Sequence, residues 1–188
     1  MKTIRLVIFI VVALIQLSIP ASAIWKHEQT LRHGRIWKFK TAPVDPVDAI
    51  RGRYIALRFA AETILGEERP GPERIPGGIV VYVALKEDAD GFAQVDRVST
   101  TPLKGENVVK AESGYWFDHA DHVKFSFNQF WVTEKNAAAA DKAYVENSRR
   151  EKQNAYVTVR IRDGDAALEQ LYIDNQPLRD YLRAHSTR

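Results

Sequence analysis

Before anything in this chain that can build a core comes an unbroken apolar run, Leu6 to Ile15, with Lys2 and Arg5 ahead of it. Gln16 and Leu17 follow, then Ser18, Ile19, Pro20 and Ala21-Ser22-Ala23. A positive start, an apolar stretch and small residues at Ala21 and Ala23 form a signal-peptide pattern with an A-x-A cleavage site. The stretch from Ile4 to Trp25 is also long enough to span a bilayer, and its terminal tryptophan suits the interface. Two fates therefore fit: residues 1–23 are cleaved off after Ala23, or they stay as an anchor reaching about residue 25. Pro20 is expected to break the helix of a cleaved leader, and with Gln16 and Ser18 to weaken an anchoring span without forbidding it. Both fates export the remaining chain across the cytoplasmic membrane, into the periplasm or onto the outer side of the inner membrane.

The leader also colours the charge. The formal net charge is +3, but Lys2 and Arg5 are among the 27 basic residues, leaving 25 against 24 acids. A nucleic-acid binder needs a concentrated basic face, and Arg149-Arg150-Glu151-Lys152 is interrupted by an acid and reads as the basic end of a helix. No nucleic-acid partner is expected. The absence of cysteine excludes disulfides, thiolate metal sites and a cysteine nucleophile, and suits an oxidising compartment.

Residues 24–40 read as a polar, basic juxtamembrane segment followed by a first strand over 35–40. Pro43 and Pro46 make 41–48 an ordered turn. Arg53 to Phe59 alternates as a strand with Ile55, Leu57 and Phe59 on one face. Three prolines and four glycines in 66–78 mark a surface loop. Ile79–Leu85 and Phe92–Val98 form a hairpin around Asp90-Gly91, and Ala155–Ile161 and Ala166–Ile173 form another around Asp163-Gly164. Residues 99–122 read as irregular, 123–132 as one aromatic strand, and a helix runs from Thr133 or Asn136 to about Gln153. The hairpins share a pattern: Tyr82, Gly91 and Pro102 in one correspond to Tyr156, Gly164 and Pro177 in the other. The predicted fold is mainly β, of the α+β class: two related antiparallel β-units, 41–105 and 115–182, with one substantial helix. The domain ends near 182, and 183–188 fray.

The strings Pro43-Val44-Asp45-Pro46 and Arg51-Gly52-Arg53-Tyr54-Ile55-Ala56-Leu57-Arg58-Phe59 resemble the signature of the bacterial GDYXXLXY family. The likeness continues through Val80–Leu85, Asp90-Gly91 and Leu171–Asn175. Arg53 stands where the name motif has Asp, and Phe59 where it has the last Tyr, so a catalytic acid at the motif is not expected. The resemblance implies an exported or membrane-associated domain working beside a multi-pass membrane protein, and brings no activity with it. From the residues themselves, Gly52, Arg53, Tyr54, Leu57 and Phe59 read as scaffold or interaction surface. Pro43, Asp45, Pro46 and Asp48 form the flanking turn, to which the Tyr54 hydroxyl would reach.

Chemical candidates are few. Asp118, His119, Asp121 and His122 hold ligand types for a divalent metal, but in an irregular stretch entering a strand they read equally as a polar turn. His27 and His33 lack a third ligand. Ser99, Ser113 and Ser126 have lysines, Lys86, Lys104 and Lys124, elsewhere in the chain but no G-x-S-x-G elbow. Gly77-Gly78 precedes a strand, which argues against a phosphate loop. The aromatics Tyr115, Trp116, Phe117, Phe125, Phe127, Phe130 and Trp131 exceed what one face can bury, and Tyr115, Trp116, Phe117, Phe130 and Trp131 are the expected partner patch. The sequence thus predicts a non-enzymatic interaction or accessory module for another envelope or membrane protein, requiring no cofactor. A metal- or ligand-binding, hydrolytic domain centred on 118–122 is the alternative.

Overall fold

The computed structural model describes residues 2–42, 54–65, 75–114, 120–149 and 152–185, with backbone alone at 2, 65, 120 and 121. It is β-rich and α+β, as the alternation and turn signals predict. The first helix, α1 (Lys2–His33), contains Pro20 and does not break there. Proline removes one backbone donor, and in lipid an opened helix would strand several more polar groups, so a helix of this composition gains by continuing through it there. The helix also runs on through the polar residues 26–33, where a juxtamembrane linker was expected.

Among the described residues three antiparallel sheets follow. β1 (Arg35–Lys40), β9 (Ala155–Arg162), β10 (Asp165–Ile173) and the short β11 (Gln176–Pro177) form one in the order β1-β9-β10-β11. β3 (Thr63–Leu65), β7 (Ala120–Phe125), β6 (Val108–Ser113), β4 (Val80–Glu87) and β5 (Ala93–Ser99) form the second in the order β3-β7-β6-β4-β5. β2 (Tyr54–Ala56) and β8 (Gln129–Trp131) make a two-stranded ribbon. The helix α2 (Glu134–Ser148) buries Ala140, Ala143 and Tyr144, and α3 (Leu178–His185) packs on β10 and α2.

Both hairpins form as predicted. At the first tip the Asp88 carboxylate accepts from the Asp90 and Phe92 amides, at 2.9 and 2.8 Å. At the second, Asp163 and Gly164 take left-handed backbone conformations. Each hairpin gains a third antiparallel strand beside its first, β6 on β4 and β1 on β9. The strands do not separate by half, however. β7 joins the sheet of the first hairpin through β6, and β1 joins that of the second.

Two further sequence expectations need correction. Residues 99–122 are not irregular throughout, because β6 pairs with both β4 and β7 inside the five-stranded sheet. Residues 123–132 are not one strand. A turn at Ser126-Phe127 sends the chain from β7 in that sheet to β8 in the ribbon.

The apolar faces meet in one core that includes Val81, Val83, Leu85, Val109, Val157, Val159, Ile161, Leu171 and Ile173. At its centre Phe39 touches Phe59, Phe125 and Phe127, with ring centroids 5.6, 5.4 and 5.1 Å away. Tilted and edge-on contacts of this kind add to the area that each ring removes from water.

Candidate functional site

The family-like motif is a core element. Ile55, Leu57 and Phe59 are buried, as the alternation required. The Leu57 amide donates to the Asn128 carbonyl and the Ala42 amide to the Arg58 carbonyl, both at 2.8 Å, so this segment bridges β1 and the turn after β7. Phe59 forms an isolated bridge with Thr41 and starts a single 3-10 turn, Ala60–Glu62. The Glu62 carboxylate accepts from the Phe59 amide at 3.0 Å and the Phe125 amide at 3.4 Å, pinning that turn to β7. Burial pushes its pKa up, against the pull of those amides and of Arg58 and Lys124.

Tyr54 sits on the other side of its strand with its ring against Trp131, centroids 5.3 Å apart. The turn residues proposed for it, Pro43, Asp45, Pro46 and Asp48, lie outside the described residues, as do Gly52 and Arg53. So do Tyr115, Trp116, Phe117, Asp118 and His119, along with the side chain of Asp121. His122 is half-buried in β7 opposite Thr63, and its carbonyl accepts from the Gly114 amide at 2.7 Å. Among the described residues no group of three or more metal-ligating side chains occurs.

The serine candidates resolve individually. Ser113 is buried; its hydroxyl donates to the Pro76 carbonyl at 2.6 Å and accepts from the Ile79 amide at 3.1 Å, which latches the 76–79 segment onto β6. Ser99 caps a local turn at Thr101. Ser126 lines a groove of about 800 Å³ together with Lys110, Glu112, Lys124, Asp165 and Val80, and no hydrogen bond joins it to a lysine among the described residues. Gly77 and Gly78 form a turn into β4, not a helix start.

Besides Trp37 Nε1, Asn154 Oδ1 and Thr158 Oγ1, two titratable groups on α2 are buried without a partner among the described residues: the Tyr144 hydroxyl and Asp141 Oδ1. Desolvation raises the pKa of each, keeping the tyrosine protonated.

The apolar surface is partly where it was expected. Trp131 is 67% exposed, whereas Phe130 is partly buried against the core, and Phe125 and Phe127 belong to it. The sequence reading missed a second aromatic row on the outer face of the four-stranded sheet. There Tyr156 and Tyr172, cross-strand partners, stack at 4.9 Å, Phe92 meets Tyr156 edge-on at 5.6 Å, and Lys40 lies 4.7 Å over the Phe92 ring. The signal was the shared position of Tyr156 and Tyr172 around the Asp163-Gly164 turn.

The feature that organises these surfaces is the end of α1. Its last turns pack on the outer face of β9 and β10. Thr30 and Gly34 are buried there, and Ala167, on the helix side opposite Arg160, is buried as well. The Gly34 amide donates to the Thr30 carbonyl at 2.9 Å, Arg162 Nη1 donates to Gln29 Oε1 at 3.3 Å, and Arg160 Nη1 reaches the Gly34 carbonyl at 3.4 Å. Gly34 is required by close approach: a β-carbon there would lie 2.5 Å from the Thr30 carbonyl oxygen and 3.1 Å from Arg160 Cβ. Ahead of this dock the helix is exposed, and its apolar window has a mean hydropathy of 2.5 with none of it buried.

A family model described as GDYXXLXY protein matches residues 16–171. The chain belongs to the GDYXXLXY family. The shared region begins inside α1 at Gln16 and ends inside β10 at Leu171, so for this GDYXXLXY member it takes in the docked end of the helix as well as the sheets. In the name motif this chain reads Gly52-Arg53-Tyr54-Ile55-Ala56-Leu57-Arg58-Phe59, and its described apolar positions serve the core. No curated protein and no solved structure matches the chain.

Proposed function

We propose that this GDYXXLXY chain is a membrane-anchored accessory module: α1 stays in the cytoplasmic membrane, and the β-rich domain outside it receives another envelope or multi-pass membrane protein on the Tyr54–Trp131 surface. The observation that carries the proposal is the continuity of α1, one helix from the apolar stretch into a turn that packs as part of the domain. A soluble domain has no use for an exposed apolar helix fused to its sheet, whereas a domain that must meet a membrane-embedded partner gains a fixed position beside it. The exposed Trp131, backed by Tyr54, supplies the large rigid apolar contact that interface centres favour.

The outward orientation rests on the export pattern. The flanking basic residues favour the opposite orientation, with Lys26, Arg32, Arg35, Lys38 and Lys40 after the span against Lys2 and Arg5 before it, so the export pattern has to outweigh them. The test uses full-length protein in its native membranes. Carbonate-resistant protein that begins at Met1 is expected, and recovery from Ile24 would remove the anchor. Photo-crosslinking from Tyr54 should trap a reproducible partner, and Trp131→Ala should reduce that yield without changing the melting of the domain. An unaltered yield would sink the Trp131 surface.

A further inference from the structure

We infer that the β9–β10 hairpin tip, Arg162 to Asp165 with Lys110 beside it, rests in the phospholipid headgroup layer of the membrane that α1 crosses. This rests on the anchored reading above and adds a lipid-facing surface to it. The geometry comes from the dock. Along α1 toward its end, Gln29 meets Arg162 and Gly34 meets Arg160, so the helix runs beside β9 with the hairpin tip on the membrane side. β1 continues the same way, from Arg35 opposite Ile161 to Lys40 opposite Tyr156, carrying the chain away from the tip.

The distance follows from helix rise. Trp25 closes the apolar stretch, and Gln29 lies four residues on, about 6 Å along the axis. The headgroup region on one side of a bilayer is roughly 5–7 Å deep. A tip held against Gln29 therefore lies within that layer. Its chemistry suits the position. Lys110 pairs with Asp165 at 3.2 Å and Arg162 with Asp163 at 3.4 Å, each side chain at least 42% exposed, so the tip presents two cations and two anions to a layer of phosphates and ammonium groups. The Lys110 amide donates to the Gly164 carbonyl at 3.0 Å, which fixes Lys110 beside the tip, and the 800 Å³ groove opens next to it.

The chain has no cysteine, so single labels are straightforward. Full-length Asp163→Cys and Arg179→Cys variants would each carry one fluorophore and be reconstituted in phosphatidylethanolamine–phosphatidylglycerol vesicles containing a headgroup-nitroxide lipid. Arg179 is exposed and follows β11, at the opposite end of β10 from the tip, roughly 25 Å away at the rise of a strand. The label at 163 should be quenched roughly twofold or more relative to 179, given the shallow depth of the headgroup layer. Asp165→Cys gives a second reading without the left-handed backbone of Asp163. Equal quenching at both ends, in protein that survives a carbonate wash, overturns the inference and leaves the anchor standing. Protein that washes off the vesicles overturns both.

Discussion

Gly34→Ala tests the dock on which the proposals depend. The added methyl would sit 2.5 Å from the Thr30 carbonyl oxygen, far inside contact distance, and 3.1 Å from both Arg160 Cβ and the Ile161 amide nitrogen. None of these is the free end of a flexible side chain, so either the last turn of α1 opens or the helix lifts from β9. Overpacking at a buried site costs about 1–3 kcal/mol. Opening the turn also gives up the Gly34-to-Thr30 hydrogen bond, worth about 1 kcal/mol net. The sum, about 2–4 kcal/mol, should lower the urea midpoint of the full-length protein in detergent by roughly 1–2 M at an ordinary slope for a domain of this size. Hydrogen exchange should locate the damage, with amides 29–34 losing protection while those of β4 and β6 keep theirs. An unchanged midpoint with full protection at 29–34 would show that the helix is not packed on the sheet, and the membrane-proximal tip would go with it.

Phe39→Ala should be among the most damaging single changes. It removes a fully buried ring from contact with Phe59, Phe125 and Phe127, at about 3–5 kcal/mol, and a loss under about 1 kcal/mol by denaturant titration would contradict the single shared core. Glu62 predicts a pH dependence. Its folded pKa is raised above 4.5, chiefly by burial, so the folded state holds that proton more tightly. The contribution is fully present below the unfolded pKa and is lost as pH rises through the raised folded value. The stability of wild type relative to Glu62→Gln should therefore fall from acid toward neutral pH, and parallel curves would refute it.

Much of the architecture was readable because its signals are local. Ile55, Leu57 and Phe59 alternate with period two, and both hairpins carry Asp-Gly at their tips. β6 was hidden because its inward positions beyond Val109 are Ala111 and Ser113, too small to announce a buried face, and because Gly105 precedes it closely. The β7–β8 corner was hidden for the opposite reason: Phe125 and Phe127 are both core residues, so the apolar alternation runs straight through the turn that divides them. α3 is short, and its Leu178, Tyr181 and Leu182 fall at helical spacing only once. The dock of α1 left almost no sequence signal, since Thr30, Gly34 and Ala167 say nothing until a helix and a sheet meet over them. The aromatic patch was half legible: Trp131 is exposed as expected, while Phe130 is drawn toward the core by the ribbon with β2.

The pairing of β1 sets a timetable for assembly. β1 follows α1 directly, yet its sheet partner among the described residues is β9, more than a hundred residues later. Made from the N-terminus, the chain delivers β1 first and β9 late, so β1 waits with bare amides and carbonyls until β9 follows. Long-range closures of this kind are slow, and a waiting strand edge invites wrong partners. A chain stopped before Tyr156 would leave that edge of β1 open, and on the anchored reading proposed above a quality-control protease in the envelope would meet it at the membrane surface.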